Sequence, residues 1–192
     1  PVKDTTHIKY NLVGDHIDNY DFMINLAHFK GHAMGGFGGV LKNQSIGVAS
    51  ANGKAYIHTA GKTADKNLIW KENRDVPQDH FIEAMAAAAQ SVHDYFNGNI
   101  LYINVMNNLS VDCDCNNHPA DPEMKDVGIL ASTDPVALDQ ACVDLVFNYP
   151  SQEGDDAKAL IERINSRHGV HIIEHSAAIG LGSREYELVK ID

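Results

Sequence analysis

The clearest β-strand in the chain is the run Ile100-Leu101-Tyr102-Ile103-Asn104-Val105-Met106, which is rich in β-branched and aromatic residues. Such residues favour the extended backbone of a buried strand. The residues before it predict a helix, which Asp79 can cap and which Asn97-Gly98 ends. The apolar positions of this helix recur at helical spacing: Phe81, Ile82, Met85, Ala86, Ala89, Val92 and Phe96. A helix that turns directly into a buried strand is typical of α/β domains.

Toward the N-terminus, residues 7–13 mix β-branched and polar side chains and predict a first strand. Residues 21–28 predict a second, mostly buried strand, which stops at a glycine cluster before a short helix begins at Val40. Residues 52–79 are polar and rich in turn formers, so we expect a loop with at most short strands.

Toward the C-terminus the alternation of strands and helices continues. Asp134-Pro135 combines an N-cap with proline at the first helical position, which is a strong helix start. The other elements expected there are a polar loop at residues 107–124, a strand at 127–131, helices at 155–166 and 171–178, and a strand at 185–191. We therefore predict a single α/β domain over residues 1–192, with a largely parallel sheet covered by helices.

Composition excludes several classes of partner. The formal net charge of −11 and the pI near 5.3 argue against nucleic acid and against anionic membrane surfaces, because both are recognised through clustered lysine and arginine. No apolar run is long enough to span a bilayer, and residues 1–4 do not resemble a signal peptide. Three cysteines, an odd number, form a poor disulfide framework, so we expect a reducing, cytoplasmic location.

The residues with the most distinctive chemistry are Cys113, Cys115 and His118. Cysteines two apart in an extended segment point the same way, and His118 can approach them across the Asn116-Asn117 turn. Two thiolates and one imidazole suit Zn or Fe, and three ligands would leave a fourth position open for water or substrate. The alternative is a pair of reduced thiols that simply face solvent. Cys142 differs, because it lies on the apolar face of its helix and is expected to be a buried thiol.

A second candidate site begins at His28-Phe29-Lys30-Gly31-His32 and continues into a glycine cluster followed by Lys42. Glycines allow backbone N–H groups to converge on an anion, and Lys30 or Lys42 would add positive charge. The candidate substrate-binding positions are Gly35, Gly36, Gly38 and Gly39. The spacing does not match a Walker motif, since Asn43 stands where Ser or Thr would be needed. The alternative is a tight strand-to-helix crossing in which glycine only permits close packing.

A third pattern, His171-Ile172-Ile173-Glu174-His175, matches the H-x-x-E-H of inverted zinc peptidases. Short patterns of this kind also arise by chance. The competing interpretation is a surface helix that carries two histidines.

Several ordered motifs resemble the domain of unknown function 362 family: residues 27–32, 36–39, 41–43, 53–54, 113–115, 126–132 and 134–141. The resemblance implies that the region around His28 to Lys42 and the region from Cys113 to Asp139 belong to one site, in which His28 and His32 are further candidate metal ligands. Members of the family often carry a ferredoxin-like cysteine-rich segment and a longer N-terminal portion. Neither is found here, so we expect a shortened member or a fragment.

The order of the motifs supports the same grouping, since the glycine cluster, the cysteine loop and Asp134 each follow a predicted strand. If those strands are parallel, all three motifs lie at one edge of the sheet, and Asp134 becomes a candidate catalytic residue with Lys30 and Lys42. The leading expectation is a metal-dependent redox or lyase-type enzyme for a small anionic substrate. The alternative is a non-catalytic carrier of a metal or iron–sulfur cluster that docks a redox partner protein.

Overall fold

The computed structural model describes residues 1–191 as an α/β domain. A 3₁₀ turn at Ile17–Asn19 precedes the first strand, and a π-helical turn at Asn43–Gly47 continues the first helix. The elements in chain order are β1 (Met23–His28), β2 (Lys30–His32), β3 (Gly36–Gly38), α1 (Val40–Lys42), α2 (Ala51–His58), α3 (Ile69–Glu72), α4 (Gln78–Tyr95), β4 (Ile100–Met106), β5 (Gly128–Ser132), α5 (Pro135–Phe147), α6 (Lys158–Ser166) and α7 (His171–Ala178).

The main sheet is mixed and has the strand order β1-β4-β5. β1 runs parallel to β4, with Met23 opposite Ile100. β5 runs antiparallel to β4, with Met106 opposite Gly128. β2 and β3 form a separate antiparallel hairpin. The α/β class is thus confirmed, but a largely parallel sheet is not, because the loop after β4 returns the chain along its neighbour in the opposite direction.

Helices cover one face of the main sheet. Alternate residues of β4 are fully or nearly buried, which matches the two-residue period of a strand with one face against the core. On the opposite face Ile24 and Leu26 of β1 and Ile129 of β5 are more than half exposed. The second predicted strand is therefore present as β1, but it is buried on one side only.

Two predicted strands are absent from the described part of the chain. Residues 7–13 form only an isolated bridge between Val13 and Ala49. Their backbone instead packs on α2 and on the turn after it. A Cβ on Gly53 of α2 would overlap the Leu12 carbonyl, and one on Gly61 of the turn would overlap the His7 carbonyl. Residues 185–191 adopt no regular structure and line a cavity of about 500 Å³ beside β5.

The predicted loop at residues 52–79 contains α2 and α3. The Ser50 side chain caps α2 by accepting the Gly53 N–H, so Gly53 serves close packing and does not break the helix. α4 and α5 are present as predicted, but Asp79 does not cap α4, because the helix begins at Gln78 with Pro77 at its N-cap and Asp79 lies inside its first turn. The Asp134 carboxylate caps α5 by accepting the N–H groups of Val136 and Ala137. No helix within residues 1–191 has both the length and the apolar character that crossing a membrane requires.

Candidate functional site

The glycine in the His-Phe-Lys-Gly-His motif lets the cysteine loop, residues 107–124, lie against the hairpin. The Gly31 N–H donates to the Ser110 carbonyl at 2.8 Å, and a Cβ on Gly31 would overlap the Val111 carbonyl. On the other side, the Arg163 guanidinium of α6 donates to the same Val111 carbonyl at 2.8 Å. Because Phe29 is fully buried and anchors the motif in the core, the loop is held beside β2.

This packing brings Cys113 and Cys115 to His32. One ligand atom of each residue, the two sulfurs and an imidazole nitrogen, lies within 4.8 Å of the others. Cys113 and His32 are buried, whereas Cys115 is exposed. The Cys115 N–H also donates to the Cys113 sulfur at 3.4 Å, which fixes the turn between the two cysteines. The contact of the cysteines with His32 of β2 joins the region from His28 to Lys42 with the region that begins at Cys113. The family resemblance implied that these two regions form one site.

The His32 ring is held in one tautomer. Its Nδ1 accepts the backbone N–H groups of Met34 at 3.2 Å and Gly35 at 3.0 Å, so the proton of the neutral ring is on Nε2. Burial lowers the pKa of His32 to about 3, and the nearby cations Lys42 and Lys30 act in the same direction. The ring is therefore neutral at ordinary pH.

The main positive charge acting on the two sulfurs is the Lys42 ammonium. Burial lowers the pKa of the Lys42 ammonium, while the adjacent Cys113 and Cys115 thiolates oppose that shift. The hydrogen bond with Cys113 and partial burial raise the pKa of the Cys115 thiol, and Lys42 counteracts them. Lys30 Nζ lies 2.9 Å from the Asp114 carboxylate and 3.0 Å from the His28 carbonyl, with its stem over Gly38. Lys42 is thus the lysine that interacts electrostatically with both sulfurs, and Lys30 is engaged in an ion pair.

Two predicted metal ligands lie outside this group. His28 uses both ring nitrogens, since Nδ1 lies 2.9 Å from the Asp114 carboxylate and Nε2 lies 2.7 Å from the Asn107 carbonyl. It therefore orients the cysteine loop. His118 is exposed, and its backbone N–H donates to the Asn116 side chain. His118 is not among the residues whose ligand atoms converge here, whereas His32, also a predicted ligand, is.

The expected anion cradle is already filled by a residue of this chain. The first N–H groups of α1, on Val40 and Leu41, each donate to the Asp139 carboxylate at 3.0 Å. A Cβ on Gly39 would overlap that carboxylate. Gly36 has φ +82° and packs on Gly169, and Gly35 lies beside the His32 ring. These glycines therefore fit the alternative interpretation, in which glycine permits close packing where a strand crosses to a helix.

Asp134 is not brought to the cysteines. Because β5 is antiparallel, its last residue Ser132 lies opposite Tyr102, near the start of β4. The cysteine loop leaves from the other end of β4. The Asp134 carboxylate also accepts the Ser183 N–H at 2.8 Å in addition to its two capping bonds. We expected the glycine cluster, the cysteine loop and Asp134 at one edge of the sheet. The segments after β1 and β4 do leave from the same edge, but Asp134, after β5, lies at the opposite one.

Sequence reasoning missed two residues beside Lys42. Burial lowers the pKa of His58, and the positive charges of Lys42 and Lys54 act in the same direction. His58 is buried and stacks on Phe81, with ring centroids 5.1 Å apart. Both residues, Lys54 and His58, lie on α2, in the segment predicted as loop. Lys54 belongs to the family motif at residues 53–54, but neither residue was predicted as part of the site. The signal that could have revealed them is Ser50 as a helix cap.

Neither the comparison with curated proteins nor that with solved structures gave a match. A family model described as "Domain of unknown function (DUF362)" matches residues 1–144, which include the hairpin, the cysteine loop and the start of α5. The match thus spans well over half of the chain and all residues of the cysteine site. The chain belongs to the DUF362 family.

Proposed function

We propose that the chain binds a metal ion, Zn or Fe, or an iron–sulfur cluster, through the thiolates of Cys113 and Cys115, with His32 beside them as a third ligand. The observation that carries the proposal is the convergence of these three ligand atoms within 4.8 Å of one another. The cysteines come from a loop and the histidine from β2, so their spacing along the chain does not explain their meeting.

The chemistry of the donor set fits such a metal, since thiolate and imidazole are ligands of Zn and Fe. The two sulfurs fit better than the ring. His32 Nδ1 already accepts two backbone N–H groups, so its Nε2 can become a ligand only after losing or moving its proton. Cys113 and Cys115 are therefore the essential ligands, and His32 contributes less.

Lys42 would give this site its substrate preference. Its half-buried ammonium lies in the electrostatic field of both sulfurs, and partial burial strengthens its attraction for an anion. A metal with an open position beside a cation suits a small anionic substrate, such as a carboxylate, in a redox or lyase-type reaction. The proposed substrate contact is thus Lys42, in place of the glycine backbone.

A carrier function is the second candidate, and the exposure of Cys115 favours it. A sulfur at the surface is accessible to a partner protein, as transfer of a metal or cluster would require. Under this alternative Lys42 would stabilise the thiolates, without any substrate.

Metal analysis of anaerobically purified, reduced protein tests the proposal. Cys113→Ser and Cys115→Ser should each weaken Zn(II) or Fe(II) binding by about tenfold or more, and His32→Ala by less. The matched control is Cys142→Ala, which removes a buried thiol from α5 and should leave the affinity unchanged. Reduced wild-type protein that binds neither ion more tightly than roughly micromolar would contradict the proposal.

Lys42→Met separates the enzyme from the carrier. In the metal-loaded protein this change should weaken binding of a small carboxylate while leaving the metal content intact, because the anion loses its cation. Lys71→Met, at an exposed lysine of α3, is the control. A metal-loaded protein that binds no carboxylate but passes its metal to an acceptor chelator or protein would favour the carrier.

A further inference from the structure

A second group of metal-ligand side chains lies between α4 and α7. His171 and His175 are one turn apart on α7 and share a face of that helix. Glu83 of α4 faces both, and one ligand atom from each of the three residues lies within 4.8 Å of the others. We propose that Glu83, His171 and His175 form a binding site for a divalent transition metal ion, Zn(II) by preference.

Both histidines point a nitrogen at the same carboxylate oxygen. Glu83 Oε1 lies 2.9 Å from His171 Nε2 and 3.9 Å from His175 Nδ1. Only the first distance is that of a hydrogen bond, and His175 lies farther off on the same side of the carboxylate. Small side-chain movements would let a cation replace the proton between Glu83 and His171 and also reach His175.

The outer nitrogens of both rings also face carboxylates. His175 Nε2 lies 2.8 Å from Asp4 Oδ2, and His171 Nδ1 lies 3.5 Å from Glu174 Oε2. Metal-bound histidines characteristically donate their second N–H to such a carboxylate, which fixes the tautomer and makes the inner nitrogen a better ligand. Each histidine thus has one nitrogen toward Glu83 and the other toward a second carboxylate. An ordinary surface ion pair does not have this arrangement.

The position of Glu174 argues against the peptidase interpretation of the H-x-x-E-H pattern. In that interpretation Glu174 would stand beside the metal, but here it lies behind His171 and also faces Arg184 at 3.6 Å. The ligand carboxylate comes from Glu83, which is far away in sequence. The pattern on α7 thus supplies two ligands, and the third comes from α4.

Nitrogen and oxygen donors without sulfur suit Zn(II) and its neighbours Co(II) and Ni(II). The side chains are only partly accessible, with 20% exposure for both Glu83 and His171. His7 contacts the second oxygen of Glu83 at 2.5 Å, so the site joins the N-terminal segment to both helices. A bound ion would fasten these three segments together.

The test uses the Cys113→Ser/Cys115→Ser double variant, in which the proposed cysteine site is removed. This protein should bind one Co(II) or Zn(II) ion, and the cobalt spectrum should lack sulfur-to-metal charge transfer. Zn(II) should also raise its thermal midpoint. In this background Glu83→Gln and His175→Ala should each lower the affinity by about tenfold or more. His16→Ala, at an exposed histidine in the turn before β1, should change nothing.

Several results would overturn the site. One is a double variant that binds no ion and shows the same thermal midpoint with and without Zn(II). Another is unchanged affinity in folded Glu83→Gln protein, since the amide keeps the shape of the side chain. A third is loss of Zn(II) binding in the His168→Ala protein while the Glu83→Gln protein still binds the ion. That result would assign the ion to the neighbouring group of His168, His171 and Glu174. Comparing the thermal midpoint of the double variant with and without Zn(II) requires no change to Glu83, His171 or His175. This comparison therefore remains decisive if a variant of one of these residues fails to fold.

Discussion

At the scale of single residues, the most informative side chain is Asp139. It is fully buried, and its carboxylate accepts N–H groups from Val40, Leu41 and Asn104. Burial raises the pKa of Asp139 to about 6, although these three donors act in the opposite direction. A carboxylate of this chain thus fulfils the role that glycine-rich turns often leave for an external anion.

Asp139→Asn should lower the free energy of unfolding by about 1–3 kcal/mol, because one of its two acceptor oxygens becomes an N–H₂ donor that faces a backbone N–H. Urea unfolding monitored by circular dichroism measures this loss. Gln140→Asn would be a poor control because its amide bonds Asp144, so the exposed Asp15→Asn serves instead. Equal stability of wild-type and Asp139→Asn proteins would contradict the structural role.

The pH dependence has a definite sign. The folded-state pKa of Asp139, about 6, lies above its ordinary value of 3.8, so folding holds this proton more tightly than the unfolded chain does. The contribution of Asp139 to the free energy of unfolding therefore falls by about 3 kcal/mol as the pH rises from about 4 to about 6. The stability difference between wild-type and Asp139→Asn proteins should narrow over that range, because the amide does not titrate. A difference that stays constant or widens would show that the carboxyl is not protonated in this way.

At the scale of elements, the β2–β3 hairpin positions the site because it carries His32 and contacts the cysteine loop. Gly36 begins β3 with φ +82°, where a side chain is strained. A Cβ there would lie 2.8 Å from the Gly169 Cα atom and 3.0 Å from the Ile164 carbonyl oxygen. The hairpin thus packs on the end of α6 through a backbone-to-backbone contact.

Gly36→Ala should therefore destabilise the protein by about 1–3 kcal/mol or more, from backbone strain and from displacement of α6. Gly14→Ala is the matched control, since its Cβ meets nothing within 4 Å and its backbone lies outside the left-handed region. That change should be neutral or slightly stabilising. Chemical unfolding of both variants tests the prediction, and similar effects of the two changes would refute it.

At the scale of the whole molecule, the N-terminal segment belongs to the core although it forms no strand. Ile8 is completely buried, and Asp4 and His7 bind the histidine and glutamate side chains of α7 and α4. The uncovered face of the main sheet differs from this segment, because apolar residues such as Ile24 are exposed there.

Ile8→Ala should lower the free energy of unfolding by about 2–5 kcal/mol, because it removes buried methyl groups from a packed site. Ile24→Ala, which changes a residue that is 58% exposed, should shift it by about 0.5 kcal/mol or less. Thermal or urea unfolding compares the two. A small effect of Ile8→Ala would mean that the N-terminal segment is not packed as the structure shows.

The sequence by itself determined the elements whose signals are local. The apolar spacing of α4, the β-branched run of β4 and the Asp134-Pro135 start of α5 each depend on neighbouring residues, and all three appear where expected. It also indicated that Cys113 and Cys115 belong with the hairpin region, through the family motifs. α2 was missed because residues 52–79 are polar and rich in turn formers, and only the fold shows that Gly53 serves close packing on the Leu12 carbonyl.

Tertiary structure alone decided how these elements meet. The direction of β5 depends on the path of the cysteine loop, which no local pattern encodes, and that direction separates Asp134 from Cys113. The meeting of His32 with Cys113 and Cys115, without His118, depends on the close approach of loop and hairpin that Gly31 permits. Likewise, Glu83 meets α7 only because the two helices pack together. Side chains distant in sequence combine through packing, which is a property of the folded chain as a whole.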